Sequence, residues 1–556
     1  MLSPEPAGTR ELRLVPAGVA VWAAAALVLT TGPAPAALCV GTIAVGHLIA
    51  RHVGQAVLSA CLGTASLLIA WFRLATTRAW QFAGSIRGTV SGAPVELDNG
   101  SVLVRVRLEG YPGPITVVTR SEVNGLVSGA RVSATGSFSA TDQPGTAQVV
   151  MNGAVTVEAG PTGMARVAQY VRDTFADAVS LHVDGAARGL IPGMTLGDTS
   201  LQTVADRQTY IASGLSHLSA VSGSNVAVVT AAAVSCAAFA RLGLRAQTGV
   251  AGVSLMVYAV LVGPEPSVLR ASVMGLVALV AVLSSSISQP IHALSLAVVG
   301  LVLVDSNVAV SYGFALSVAA TAGIVLVSPI IRAAIRRHLG EETRCPDALI
   351  GALSVAIAAD AVTAPVVACM TGRVSLVAVA ANLLVTPVVA PVTVLGLLAA
   401  LLALVPGGAE TLVLWVTEPL AAWIAGVAHV LSASPSATVS TGPVTAAVIY
   451  GWILTGVVGG RPRLTLAAIT TAAVIAFAPA GQRGVDLDTL TAHVVATEEE
   501  IDPVPTSAQL VVVLERGPPH ARPVRTAGGV PVLYPNRDGR VRVLPDGTQR
   551  SVTAGF

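Results

Sequence analysis

Long apolar runs, separated by short breaks rich in Gly, Pro and Arg, fill most of this chain. They define thirteen candidate membrane helices: 14–31, 33–50, 53–72, 218–240, 247–263, 268–283, 291–304, 313–331, 348–370, 374–403, 411–431, 444–459 and 464–480. A crossing helix needs about 20 apolar residues, within a range of about 17–25. By that measure 268–283, 291–304 and 444–459 are short and 374–403 is long. The long run contains "TPVVAP", 386–391, where proline removes backbone donors and predicts a broken or kinked helix. Arg10 and Arg13 before 14–31 and "PAPA" after it resemble a cleaved leader. The next apolar run begins at once, which predicts a retained helix.

The pattern changes to alternation between residues 80 and 158. Five short strands are expected, at "QFAGSIRGTVSG", "SVLVRVRLEG", "ITVVTRS", "ARVSATGSFSA" and "AQVVMNGAVTVEAG", with turn formers such as "LDNG" and "YPGP" between them. Five strands in so few residues suit a small barrel of the OB type. In the second strand Val102, Val104, Val106 and Leu108 share one face, leaving Arg105 and Arg107 on the other. Such a barrel binds single-stranded nucleic acid with arginines and stacking aromatics, for which Trp80, Phe82, Tyr111 and Phe138 are available. Arginine on the wet face of a strand is equally ordinary, and the segment's five Arg against six acids do not mark a DNA-binding surface.

Residues 164–182 return to helical spacing. Met164, Val167, Ala168, Val171, Phe175, Ala178, Val179 and His182 form one stripe, and Arg166, Arg172, Asp173 and Asp177 lie between them. This predicts a helix lying in the membrane interface. "ARGLIPGMTLGDTS", up to residue 200, is too short to cross and reads as a re-entrant loop. At the other end, "TEEEIDPVP" reads as an acidic linker, followed by short strands.

Composition agrees with the pattern. The 556 residues are 53% hydrophobic and 11% charged, against about a quarter charged in a soluble domain. The net charge of +2 gives no sign of a nucleic-acid partner. All basic residues are Arg, and they sort by side. With Arg10 and Arg13 in the cytoplasm, Arg241, Arg245, Arg332, Arg336, Arg337, Arg344, Arg461 and Arg463 also fall inside, the positive-inside pattern. The β domain and the C-terminal tail are then extracytoplasmic. Cys39, Cys61, Cys236, Cys345 and Cys369 have no metal-ligand spacing and predict no disulfide framework.

The densest polar passage is "ASGLSHLSAVSGSNVAVV", 212–229, at the mouth of an apolar run. On one continuous helix Ser213, His217 and Ser224 would share a face, with Ser219, Ser222 and Asn225 beside them. Two readings stay open. One is a tight crossing of small residues around a buried histidine; the other is a polar lining where a hydrophilic solute enters. Asp360 stands midway along a candidate span, and Arg270 begins another close to Glu265, with which it pairs unless it guides phosphate instead.

"SGLSHLSAVSGSNVAVV" resembles the signature of the ComEC family of competence DNA channels, and other stretches agree in order. These are "LGDTS" with Asp198, "PSVLRASVMG" with Arg270, "DSNVAVSYGFALSVAATAGI" with Asp305, Gly313 and Phe314, and "RVSLVAVAANLLVTPVVAP" with Asn382. The resemblance implies a polytopic α-helical membrane protein of about 13 spans, some broken or re-entrant, with an inserted small extracytoplasmic β-barrel (OB-like) and a short β-rich tail. Its expected parts are three N-terminal helices (1–79), the barrel (80–160), a channel core (161–483) and the tail (484–556). The implied function is passage of single-stranded DNA into the cytoplasm. Candidate lining residues are His217, Ser219, Ser222, Gly223, Ser224, Asn225, Arg270, Asp360 and Asn382; Arg105, Arg107 and Phe138 are candidate DNA contacts. No catalytic residue, metal or cofactor is expected. Partners implied are the bilayer, a separate DNA receptor, nuclease and motor, and a second copy of the chain.

Departures sharpen the reading. Family members commonly carry Ser-Gly-x-His where this chain has Ser222-Gly223-Ser224-Asn225, and Asn carries no proton at neutral pH. Many members end in a metallo-β-lactamase-like nuclease domain; here no His-x-His-x-Asp-His motif occurs. Alternatives from other classes are a transporter or flippase for another polar substrate, and a membrane-embedded hydrolase using His217 with Ser222 or Asp198.

Overall fold

The computed structural model describes residues 12–459, apart from 83, 98–99, 121–124, 142, 220, 264, 285–288, 340–345 and 435–436, and residues 492–551, apart from 502–509, 518–523, 527–529, 539–540 and 544–548. They fall in two compact units, Met1–Pro462 and Arg463–Phe556.

Three helices open the first unit: α1 (Val15–Thr30), α2 (Pro33–Ile49) and α3 (Val53–Ala79). The buried stripe of α3 is Ala56, Ser59, Gly63, Ser66 and Ala70, small residues three or four apart. Such a stripe lets backbones approach closely, and Ser66 donates to the Val21 carbonyl of α1 at 2.8 Å. Large apolar side chains point outward instead, among them Leu38, Ile49, Phe72, Phe239 and Trp415. Small inside and large outside is the arrangement of a bundle that packs in lipid.

The barrel follows: β1 (Ser85–Val90), β2 (Val95–Glu96), β3 (Val102–Arg107), β4 (Pro114–Thr119), β5 (Arg131–Ala140) and β6 (Val149–Ala159). Its order is β1-β5-β6-β4-β3, and β1 pairs β3 to close the ring. All pairs are antiparallel except β4 with β6. This closed five-strand ring, with two-residue β2 added on β3, fits an OB-type barrel. Gly136 faces Gly153 across β5 and β6, and a Cβ on either would run into the opposite backbone. The strands bend over each other there because neither carries a side chain. Val104, Val106, Ile115, Val117, Val132 and Met151 fill the interior.

The core begins with α4 (Met164–His182), α5 (Gly185–Leu196) and α6 (Val204–Ser213). The expectation for α4 needs correcting: Ala168, Val171, Phe175, Ala178 and Val179 pack into the protein, while Met164 and Val167 stay exposed. The expected loop at 187–200 is largely a buried helix, α5, of 12 residues, about 18 Å long and too short to cross. A short 3-10 turn at Ser216–Leu218 leads to α7 (Gly223–Phe239), α8 (Leu244–Val262), α9 (Pro266–Leu283) and α10 (Pro290–Val304). Then come α11 (Tyr312–Ala322), α12 (Ser328–Leu339), α13 (Asp347–Thr371), α14 (Ala378–Leu402), α15 (Ala409–Ser432) and α16 (Pro443–Val458).

Twelve of the thirteen expected runs coincide with helices; 464–480 lies outside the described residues. Among the described residues seven helices are long and apolar enough to cross a membrane, and five shorter ones are apolar. The expected break at 386–391 is not observed, since α14 runs through Pro387 and Pro391. Pro387 and Pro391 leave the Leu383 and Pro387 carbonyls without their helical donors; beside the first, Thr386 donates to the Asn382 carbonyl and the Trp423 indole to the Leu384 carbonyl. The irregular turn lies instead between α11 and α12, where Gly323–Val327 is π-helical. There Gly323 lies close enough to the Ala358 carbonyl that a Cβ would sit 2.9 Å from it.

In the second unit β7 (Ala492–Val495), β8 (Leu510–Val513), β9 (Val524–Arg525) and β10 (Pro531–Leu533) form one sheet in the order β9-β10-β8-β7. Arg537 pairs with Glu498 and Glu515 and lies over the Tyr534 ring, tying the sheet to the segment that follows it.

Candidate functional site: an open helix start beside a buried arginine

The passage 212–229 is not one helix. Gly214 takes φ 75° and ends α6, a conformation that costs a Cβ-bearing residue free energy. The chain then makes the 3-10 turn and restarts at Ser222, the residue that precedes α7. The shared face expected for Ser213, His217 and Ser224 therefore does not form. Ser213 is buried and bonds back to Thr209. The turn presents His217 and Ser224 as exposed and Ser219, Ser222 and Gly223 as half-buried.

His217 as a whole residue is exposed. The protein around its ring pushes its pKa below the ordinary imidazole value, and the Gly214 backbone pulls the other way.

Behind the turn stands the end of α5. Asn225 is 3% exposed, and its amide donates to the Met194 carbonyl at 2.7 Å. That bond turns its Oδ1 toward Ser222, which donates to it at 3.1 Å. Ser222 and Ser224 hydroxyls meet at 2.5 Å. Asn225 therefore backs the lining rather than facing the solute, a correction to its expected place. No hydrogen bond joins Ser222 to His217 among the described residues, so the pair a hydrolase would need is not assembled.

Arg270 meets this turn from α9. It is 6% exposed. Nε donates to Ser317 at 2.8 Å and Nη1 to the Met274 sulfur at 3.3 Å. Nη2 lies against Gly223, where a Cβ would come within 2.5 Å of it. The expected alternative of pairing with Glu265 is not realised: no carboxylate among the described residues reaches Arg270.

Other candidates lie apart. Asp360 lies near Tyr450 of α16. Asn382 bonds back to Ala378 within α14; Ala378 itself packs against Gly214. Asp198 holds the Ser200 amide at 2.9 Å and its charge bears on Arg172, which donates to the Leu261 carbonyl. Asp305 accepts from both nitrogens of Asn307 at 3.0 Å. Asn307 in turn accepts from the Thr146 amide and hydroxyl of the barrel at 2.7 and 2.9 Å. Arg73 fixes the same turn through Ser306 and the Val304 carbonyl. Phe314 is buried against Trp22, centroids 5.3 Å apart, while Gly313 is exposed. Asp305 and Phe314 thus belong to the turn that docks the barrel, not to the lining.

On the barrel, Arg105 and Arg107 are exposed and form no ion pair among the described residues. Phe138 is stacked on Phe82 at 4.6 Å, and Phe82 and Trp80 both meet Tyr111 edge-on. These aromatics pack on one another.

Sequence reasoning missed the Met194 carbonyl, Ser317, Asn307, Thr146 and Tyr450. Asn307 left one local signal, the Asp-Ser-Asn turn; the others depend on contacts distant in sequence. Among the described residues no group of three or more His, Cys, Asp or Glu is placed to hold a metal.

A family model described as competence protein matches residues 194–463, which span the α5 end, the 3-10 turn, α7 and Arg270. No curated protein and no solved structure matches the chain.

Proposed function

The chain belongs to the ComEC family of competence proteins, membrane proteins with a role in DNA uptake during natural transformation, and from that premise we propose that it forms the path by which one DNA strand crosses the plasma membrane. A strand carries a charge on every phosphate, and charge in hydrocarbon is expensive, so its path must be wet and polar. The observation that carries this reading is the broken passage between α6 and α7, which leaves His217 and Ser224 exposed and Ser219 and Ser222 half-buried in an otherwise apolar bundle. Irregular backbone in a membrane protein persists where protein or water surrounds it.

On this reading the barrel stands on the outer side and offers Arg105 and Arg107 to the incoming strand. A separate receptor, nuclease and cytoplasmic motor deliver it, trim the second strand and pull. The chain itself conducts and does no covalent chemistry.

The test is uptake of labelled DNA in a strain lacking this gene, complemented with the wild-type chain or with His217→Ala. Wild type restores uptake, and the variant fails while its membrane abundance stays normal. Normal uptake in the uncomplemented deletion strain sinks the proposal.

A further inference from the structure

We propose that the start of α7 and Arg270 together form a binding site for one phosphodiester anion; the inference rests on the transport reading and names what the lining grips. Three independent features converge. The first is an uncapped helix start. Ser222 makes no side-chain cap, and the Gly223 and Ser224 amides find no protein acceptor among the described residues. A 17-residue helix brings partial positive charge there. The second is Arg270, more than nine-tenths buried and facing no carboxylate among the described residues. Its Nε and Nη1 are held, but Nη2 has no hydrogen-bond partner among the described residues and lies against Gly223. A buried guanidinium is rarely left without an anion, because desolvating it is costly. The third is shape. Glycine at 223 is what lets the guanidinium reach the helix start, and the Asn225–Met194 bond fixes the Ser222–Ser224 pair beside it.

The pieces have complementary roles. The two amides and Nη2 donate to phosphate oxygens, and Ser224, which is exposed, completes the rim. A single fixed cation with dipoles holds one phosphate loosely enough to release it, whereas a row of arginines would trap the strand.

The experiment uses the full-length chain in phosphate-free maltoside micelles and a labelled five-nucleotide thymidylate, read by fluorescence anisotropy. Its twin has neutral methylphosphonate linkages. The wild type is expected to bind the charged strand at least about tenfold more tightly than the neutral one. Arg270→Gln and Gly223→Ala each erase that preference, and inorganic phosphate competes only with the wild type. Gly223→Ala keeps every hydrogen-bonding group, so it reports on geometry even where Arg270→Gln fails to fold. Equal binding of both strands by the wild type, or an unchanged preference in Gly223→Ala, overturns the site. Repeating the titration with added phosphatidylglycerol separates the sources of phosphate. Displacement of the strand by lipid, absent in Arg270→Gln, would assign the site to a headgroup and overturn the DNA assignment. Failure of the wild-type chain to restore uptake in the deletion strain would count against transport alone, leaving the binding result to stand by itself.

Discussion

Two polar turns interrupt the apolar bundle, and they end differently. At Asp305–Asn307 the side chains close on one another. Asp305 holds Asn307, Asn307 holds Thr146 of the barrel, and Arg73 takes up Ser306 and the Val304 carbonyl. At Ser222–Asn225 the back of the turn is tied to Met194, but the front keeps free amides and an arginine without an acid. Both carry family motifs and both look equally polar in the sequence. The difference is completion. A turn whose donors and acceptors are all used within the protein is holding parts together; one with donors left over is what the proposed transport path calls for.

The contrast is broken or sharpened by substitution on each side. The largest effect is expected at Arg270. Hydrogen bonds to charged groups are worth about 1.5–3 kcal/mol, so Arg270→Gln should lower labelled-DNA uptake about 10- to 100-fold at constant membrane abundance. Uptake within twofold of wild type would place Arg270 with the structural groups. Gly223→Ala comes next. Because the atom in the way is the free end of the arginine, uptake should fall about tenfold while the thermal unfolding midpoint hardly moves. A large drop in that midpoint would mean the glycine serves packing.

Asn307→Ala should do the reverse. It strands the Thr146 amide and hydroxyl, a cost of about 1–3 kcal/mol, read as earlier unfolding or faster proteolysis of the barrel. Loss of uptake without loss of stability there would erase the distinction between the two turns.

The smallest effect concerns pH. Burial holds the His217 pKa below its unfolded value, so the folded state takes up its proton later than the unfolded one. The contribution to stability is fully present above the ordinary imidazole range and is lost as pH falls through the folded pKa. Wild type should therefore lose more of its unfolding midpoint than His217→Gln between neutral and mildly acidic pH. Parallel curves would show that His217 is not surrounded as described.

Much of this was legible in the residues. Apolar run length located the helices, and alternation at Val102–Leu108 located the barrel and the exposed side of Arg105 and Arg107. What stayed hidden was whatever depends on one segment meeting another. A single helix through 212–229 is consistent with spacing alone; Gly214 in a left-handed conformation and the packing of Ala378 against it end that helix. Pro387 and Pro391 read as a break, yet α14 runs through both, and the neighbouring helix against which it packs, which holds Trp423 on the Leu384 carbonyl, is not visible in the local pattern. Phe138 read as a free stacking ring because nothing local marks Phe82 as its partner. Arg270 was visible as a charge in an apolar run, but its lack of an acid partner could only come from the fold.

The central claim is that the face of the turn bearing Ser224 opens to a water-filled path that DNA occupies. The most direct measurement is labelling of Ser224→Cys, in a chain whose native cysteines are replaced, with a membrane-impermeant thiol reagent in the presence and absence of single-stranded DNA. The account predicts ready labelling that single-stranded DNA suppresses and that the neutral methylphosphonate strand does not. A thiol that never reacts, or one that reacts identically with DNA present, contradicts it.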